Sequence, residues 1–393
     1  MKVFDAGATG AMGRQLVPRL VAGGHEVVGT TRSESKRTAI EEMGARAVVV
    51  DALDADRVGG AVAKAEPEVI IYELTAIGAL DIRNFDRAFA PTNRLRTEGT
   101  DHLLAAGRAV GVKRFLAQSY AAWPYARTGG QVKTEEHPLD PTPARKMRES
   151  LQAIRHLEIA VTSAEWTEGI VLRYGGFYGP GTSVYPGGEQ WEQVRERKFP
   201  MVGDGAGIWS FVHIADAAEA TAIAVDRGAR GIYNIVDDDP APVAAWLPAL
   251  AETAGAPKPW RVPKFIARVA AGEVGVDPSG DRRAAIGAPR RDGRLAVMAI
   301  ARSLHGRSRV ARTLLNWVKL GRRIPAAAIR PAEVNGGPGA LLLDGDGRLI
   351  AVWALEIGDG LIQSVSSIIN PEKLAHLGPV ADLAVLLRRA AGD

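Results

Sequence analysis

The first 235 residues alternate short β-branched runs with longer segments of helical periodicity. This alternation is typical of a parallel sheet wound with helices on both faces, an α/β doubly wound fold. The predicted strands are Lys2–Asp5, Glu26–Thr31, Ala45–Val50, Val69–Tyr72, Arg114–Ala117 and Ile170–Arg173.

The pattern changes after residue 275. Residues 276–292 are polar, contain Pro278 and Gly280, and lack a sustained apolar period, which predicts a linker. Residues 293–393 begin with a strand-like run, Leu295–Ala301, and a helix over Ser308–Leu320, and continue with apolar runs separated by Gly-rich turns. We therefore predict two domains, 1–275 and 293–393, the second smaller and of α+β type with an antiparallel meander.

Composition excludes several classes of protein. Hydrophobic residues make up 46% of the 393 and charged residues 24%, which excludes disorder throughout. No apolar stretch approaches the roughly 20 residues that span a bilayer, so we expect a cytoplasmic protein with no membrane partner. The absence of cysteine excludes disulfides, thiolate metal sites and a cysteine nucleophile.

One segment is strongly basic. Residues 281–323 contain twelve Arg and Lys but only two acids. No motif that reads bases accompanies this charge, so we predict a solvated surface and no sequence-specific nucleic-acid binding. The histidines show no spacing typical of a metal site, and we expect no metal ion.

A glycine-rich turn provides the strongest chemical signal. It follows the first predicted strand and begins the first helix, and it consists of Gly7, Ala8, Thr9, Gly10, Ala11, Met12 and Gly13. Such a turn lets backbone N–H groups approach a pyrophosphate at a helix N-terminus, as in Rossmann-type dinucleotide-binding domains. The second strand ends in Arg32, which suits a ribose 2′-phosphate, so we favour NADP and keep NAD as the alternative. Arg32 as an ordinary exposed cation remains the competing interpretation.

Residues 1 to about 275 resemble the extended short-chain dehydrogenases/reductases of the NAD-dependent epimerase/dehydratase family. The resemblance rests on the glycine turn and on RFLAQSYAAW at 114–123, LRYGGFYGPG at 172–181 and SFVHIADAAEA at 210–220. It implies cofactor contacts near the adenine, the ribose and the nicotinamide. The implied residues are Asp51 and Ala52 for the adenine, Leu74, Thr75 and Ala76 for the ribose, and Tyr174, Gly175 and Phe177 for the nicotinamide.

The chain departs from this family at its catalytic pair. The family normally uses Tyr-x-x-x-Lys on a helix, but no tyrosine here has lysine four positions later, and residues 143–158 contain no tyrosine. By resemblance, Ser119 or Tyr120 occupies the family's Ser/Thr position. We take Tyr120 as the candidate acid, with Ser119 and Lys146 as candidate partners. Packing of Tyr120 against the cofactor and a solvent-facing Lys146 are the alternatives.

Residues from about 292 to 389 resemble the polyketide-cyclase-like (SnoaL-like) domain found at the C-terminus of some extracytoplasmic-function sigma factors. The segments 305–315 and 334–378 carry this resemblance, whereas the family's first helices are missing. The resemblance implies a curved sheet closed by helices into a cone, here incomplete.

Together these features predict an NAD(P)-dependent oxidoreductase acting on a small carbonyl or sugar-like substrate. The alternative is a catalytically silent NADP-binding sensor with a ligand-binding C-terminal domain. Whether the chain is a monomer or a homodimer stays open.

Overall fold

The computed structural model describes residues 1–77, 84–121, 123–126, 128, 132–237, 240–267, 283–284, 327–334, 337–358, 361–368, 374 and 378–381. The chain divides into two compact units, 1–296 and 297–393. Among the described residues, no helix is long and apolar enough to cross a membrane.

A seven-stranded parallel sheet forms the centre of the first unit, in the order β12-β7-β5-β4-β1-β2-β3. Short two-residue and three-residue strands pair with one another outside this sheet. The strands of this unit are β1 (Lys2–Ala6), β2 (Glu26–Thr31), β3 (Arg46–Val49), β4 (Val69–Tyr72), β5 (Arg114–Tyr120), β6 (Val132–Lys133), β7 (Glu168–Tyr174), β8 (Gly176–Tyr178), β9 (Met201–Val202), β10 (Ile208–Trp209), β11 (Phe211–His213), β12 (Gly231–Ile235), β13 (Ala241–Pro242), β14 (Arg261–Val262) and β15 (Arg283–Ala284).

Helices cover both faces of this sheet. They are α1 (Ala11–Ala22), α2 (Arg37–Glu42), α3 (Ala55–Ala65), α4 (Phe85–Arg94), α5 (Thr100–Val110), α6 (Arg148–Thr162), α7 (Glu189–Arg195), α8 (Ile214–Asp226) and α9 (Val243–Thr253). A π-helical turn, Leu95–Gly99, joins α4 directly to α5. Turns of this kind often occur at functional sites.

The strands form where the sequence predicts them, because their side chains are apolar on both faces. Phe4, Ile70, Tyr72 and Phe115 pack against α3 and α5 in one core cluster, as expected for strands buried on both sides. The Rossmann-type sheet is therefore confirmed. The sequence analysis did not include β12, which pairs with β7 at the sheet edge.

The second unit contains a four-stranded antiparallel meander. Its strands are β16 (Ala328–Val334), β17 (Gly337–Leu343), β18 (Leu349–Gly358) and β19 (Leu361–Ile368). Gly347 adopts φ +75°, a left-handed conformation that suits the turn between β17 and β18. The predicted meander is thus present. The predicted strand Leu295–Ala301 and the predicted helix Ser308–Leu320 lie outside the described residues, as does the 276–292 linker apart from β15.

Candidate active site

The glycine turn connects β1 to α1 at the carboxyl edge of the sheet. Gly7 adopts φ +133°, which only glycine tolerates readily, and a Cβ there would lie 3.1 Å from the Glu73 backbone. No side chain caps the first turn of α1, whose N-cap is Gly10. The N-terminus of α1 therefore presents backbone N–H groups suited to an anion.

Gly13 sets the distance between α1 and this turn. A Cβ at Gly13 would lie 2.5 Å from the Ala8 backbone, so only glycine allows the observed packing. Met12 is buried in the core, and Ala11 begins the helix. Met12 and Gly13 thus hold the helix against the turn, and none of these three predicted residues lines the cavity in front of it.

A cavity of about 270 Å³ opens in front of the glycine turn. It is lined by residues from four parallel strands or the loops that follow them, including Gly7, Thr9, Gly10, Thr30, Thr31, Arg32, Ser33, Lys36, Val50, Ala52, Glu73, Leu74 and Thr75. Several of the predicted cofactor residues therefore meet at one cavity. The glycine turn and the apolar lining residues of this cavity fit the adenine nucleotide half of a nicotinamide cofactor.

Positive charge marks one end of this cavity. Arg32 and Lys36 both line it, and Arg32 is exposed. Among the described lining residues the only acid is Glu73, which follows β4. Asp51 is exposed and accepts a hydrogen bond from the Leu53 backbone N–H at 3.0 Å, whereas its neighbour Ala52 faces the cavity.

Two carboxyl groups are buried beneath the glycine turn. Asp5 and Glu73 are almost wholly buried, and none of their side-chain oxygens has a hydrogen-bond partner among the described residues. Burial raises the pKa of Asp5 to about 7. Burial, together with the neighbouring Asp5, raises the pKa of Glu73 well above its ordinary value. Below about pH 7 the Asp5 carboxyl is therefore neutral and does not oppose the approach of an anionic pyrophosphate, and the raised pKa of Glu73 acts in the same direction.

Ser119 belongs to a buried polar network. Its hydroxyl donates to Glu158 Oε1 at 2.7 Å, and Glu158 forms a two-bonded ion pair with Arg173, at 2.7 and 2.6 Å. Arg173 also donates to the Tyr125 hydroxyl at 3.1 Å. The Ser119 proton is therefore directed towards α6 and away from Tyr120.

Tyr120 ends β5 directly opposite Tyr174 of β7. Burial raises the pKa of its phenol to about 12, although the positive charge of Arg96 acts in the opposite direction. The phenol is thus protonated at neutral pH and available as a hydrogen-bond or proton donor. Lys146 lies in an exposed 3-10 turn before α6.

The residues predicted near the nicotinamide follow the end of β7. Tyr174 is buried, and its hydroxyl lies 2.5 Å from Thr221 Oγ1. Gly175 packs against Ser210, where a Cβ would lie 2.8 Å from the carbonyl oxygen. The Phe177 ring centroid lies 5.3 Å from that of Tyr174. Ala76, predicted near the ribose, donates its backbone N–H to Thr92 Oγ1 at 3.0 Å.

Sequence reasoning missed Arg96. This residue lies in the π-helical turn and is only 9% exposed. Its charge interacts with Tyr72, Glu158 and Tyr120, and burial lowers its pKa. The charged residues Arg94 and Glu98 lie two positions before and after it, so sequence alone favours a solvent-facing side chain. Among the described residues, no three His, Asp or Glu side chains group closely enough to hold a metal ion.

Comparison with known proteins identifies the class. The NAD dependent epimerase/dehydratase family matches residues 6–236, and the chain belongs to this family. Over 272 residues it is 43% identical to a 3-diazoavenalumate denitrifying reductase of a Streptomyces species, covering 68% of this chain and 86% of that protein.

A more distant relative is also a reductase. The chain is 26% identical over 258 residues to a 4-hydroxy-2-methyl-3-oxo-4-farnesyl-3,4-dihydroquinoline-1-oxide ketoreductase of Stigmatella aurantiaca, covering 65% of this chain and 74% of that protein. Family and relatives together make the chain a NAD(P)-dependent oxidoreductase that acts on a small substrate.

Solved structures agree on the fold. A UDP-glucose 4-epimerase of Thermotoga maritima superposes with a TM-score of 0.58 at 20% identity, over 73% of this chain and 89% of that one. The Thermus thermophilus UDP-glucose 4-epimerase gives a TM-score of 0.56 at 23% identity, over 74% and 91%. At these identities the likeness shows the shared fold alone.

Proposed function

We propose that the protein is an NADPH-dependent reductase that releases N2 from a small aryldiazonium compound. The observation that carries this proposal is the 43% identity to a denitrifying reductase, over 86% of that protein's length. Reductases among the relatives favour this function over a silent NADP-binding sensor.

The chain's own residues would hold the cofactor along the carboxyl edge of the sheet. Backbone N–H groups of the glycine turn bind the pyrophosphate, and Ala52, beside Asp51, contacts the adenine. Leu74, Thr75 and Ala76 follow the ribose, while Tyr174, Gly175 and Phe177 border the nicotinamide. The glycine turn, Ala52 and Leu74 line one cavity, which supports this arrangement.

Arg32→Ala is expected to abolish a preference for NADPH over NADH. Arg32 and Lys36 line the positive end of the cavity, and a charge-assisted hydrogen bond to a 2′-phosphate contributes about 1.5–3 kcal/mol, or roughly tenfold to 100-fold in affinity. Titration of both cofactors against the parent chain and the variant measures this. Arg57→Ala on the exposed surface of α3 is the matched control. Equal affinities in the parent chain would remove the role of Arg32.

The missing Tyr-x-x-x-Lys pair fits this chemistry. When bound, a reduced nicotinamide supplies a hydride to the substrate. At a diazonium carbon a C–H bond forms, the C–N bond breaks, and N2 leaves with the bonding pair. The positive charge of the diazonium group balances the negative charge of the hydride. A diazonium substrate therefore takes no proton from the protein.

Carbonyl reduction is the second candidate, because two relatives bear the names of a ketoreductase and an oxoalkanoate reductase. When a hydride reduces a carbonyl carbon, the carbonyl oxygen does require a proton. The protonated Tyr120 phenol is the proton donor we propose. Ser119 supports the strand end through Glu158, and Lys146 stays a more remote candidate.

The decisive experiment is an assay of the full chain with NADPH and an aryldiazonium salt. We expect one N2 released for each NADPH oxidised, at a rate well above the uncatalysed reaction. Turnover of ketones alone would favour the second candidate.

We further propose that residues 293–393 form an incomplete SnoaL-like domain. The four-stranded antiparallel meander supports this proposal.

A further inference from the structure

One face of the α4 helix and the following π-helical turn combines aromatic rings with a buried cation. Phe85, Phe89, Asn93 and Arg96 share this face, because their spacings of three and four residues bring them to one side of a helix. The rings of Phe85 and Phe89 stack at 4.4 Å, and Trp123 meets Phe85 edge-on at 5.5 Å. Phe89 and Trp123 remain partly exposed.

Arg96 is a buried cation with no counter-ion among the described residues. It is 91% buried, and no described carboxylate lies within ion-pair distance of its guanidinium. The nearest acid that influences it, Glu158, is already engaged in a two-bonded pair with Arg173. A buried charge in this state is energetically unfavourable, and an anion supplied by a ligand would relieve it.

Hydroxyl groups lie near this cation. Tyr72 and Tyr120 both interact with Arg96 through its charge. The hydroxyls of Tyr72 and Thr100 lie beside each other, yet neither completes a well-formed hydrogen bond with a described residue, nor does Asn93 Oδ1. Three hydroxyls and a guanidinium thus converge where β4 and β5 end.

This cluster is separate from the pyrophosphate position. The nucleotide cavity is lined by Leu95 and by the glycine turn, but Arg96 does not line it. We assign the cofactor's phosphates to the N-terminus of α1 and to Arg32. An anion bound by Arg96 would therefore belong to the substrate.

We propose that Arg96, with the hydroxyls of Tyr72 and Tyr120, binds a carboxylate of the substrate, whose aromatic part lies towards Phe89 and Trp123. This inference rests on the proposed function, since it names the substrate class of the same site. Arginine suits a carboxylate because its planar fork donates two parallel hydrogen bonds.

Binding of cinnamate and of cinnamamide to the full chain, by calorimetry with and without NADP⁺, tests the proposal. The two probes differ in charge but hardly in shape. We expect cinnamate to bind at least about tenfold more tightly than cinnamamide, and Arg96→Met to reduce this ratio to about one. Arg96→Lys should keep most of the preference, because it keeps the charge.

Arg94→Gln is the matched control, since Arg94 lies two residues away on the exposed side and pairs with Glu98 at 2.7 Å. It should leave the ratio unchanged. If Arg96→Met does not fold, Tyr72→Phe provides a second variant, with an expected loss of about threefold in the preference.

Equal binding of acid and amide to the parent chain, or a preference that survives Arg96→Met, would overturn the inference. These readouts need no turnover. A chain that prefers cinnamate through Arg96 but does not release N2 from an aryldiazonium compound would contradict the proposed function and leave the anion site supported.

Discussion

Gly13→Ala is expected to weaken NADPH binding at least about 100-fold, or about 2.7 kcal/mol. The added Cβ would lie 2.5 Å from the backbone of Ala8, and no side-chain movement can relieve a clash with backbone atoms. The first turn of α1 must therefore shift away from the glycine turn. The N–H groups that we assign to the pyrophosphate would then be misplaced. Fluorescence titration with NADPH measures the loss.

Gly60→Ala is the control for this substitution. Gly60 lies within α3, and a Cβ there meets nothing within 4 Å. Alanine is the better helix former, so this variant should bind NADPH normally and gain about 0.5–1 kcal/mol in stability. Normal NADPH binding by a folded Gly13→Ala chain would contradict the proposed position of the pyrophosphate.

Tyr120→Phe is expected to slow the reduction of a ketone but not the release of N2 from an aryldiazonium salt. Reduction of a ketone should slow by about 100-fold or more, because a positioned general acid contributes 10²–10⁴-fold. The rate of N2 release from an aryldiazonium salt without a carboxylate should stay within about threefold of the rate of the parent chain. This reaction needs no proton, and such a substrate has no carboxylate for Arg96 to bind. Steady-state rates with both acceptors, at saturating NADPH, measure this separation.

Tyr185→Phe serves as the matched control, because Tyr185 is 41% exposed and far along the chain from the β5 end. It should change neither rate. Equal slowing of both acceptors by Tyr120→Phe would instead indicate a packing role for Tyr120.

The sheet could be predicted from sequence because its strands are short, β-branched and buried on both faces. The glycine turn was also recognisable, since its spacing follows directly from the approach of backbone to phosphate. Gly231–Ile235 was missed because a short run containing Tyr and Asn carries little periodicity. It becomes a strand through its pairing with β7.

The substrate side of the site was harder to predict. Arg96 reads as a surface residue in a charged helix, and its burial depends on the π-helical turn and on the ends of two strands distant in sequence. The resemblance makes Ser119 a candidate catalytic residue, but the direction of its hydroxyl towards Glu158 follows from the packing of α6 on β5. Such convergence depends on tertiary contacts, which a local pattern does not contain.

The most direct test of the central claim follows a deuterium label placed on one face of the NADPH nicotinamide. The full chain is incubated with an aryldiazonium salt and each of the two stereospecifically labelled cofactors, and the reduced arene is analysed by mass spectrometry. The account predicts deuterium at the former C–N carbon from only one labelled cofactor, with one N2 per NADPH oxidised. Equal labelling from both cofactors, at the rate seen without protein, would contradict it.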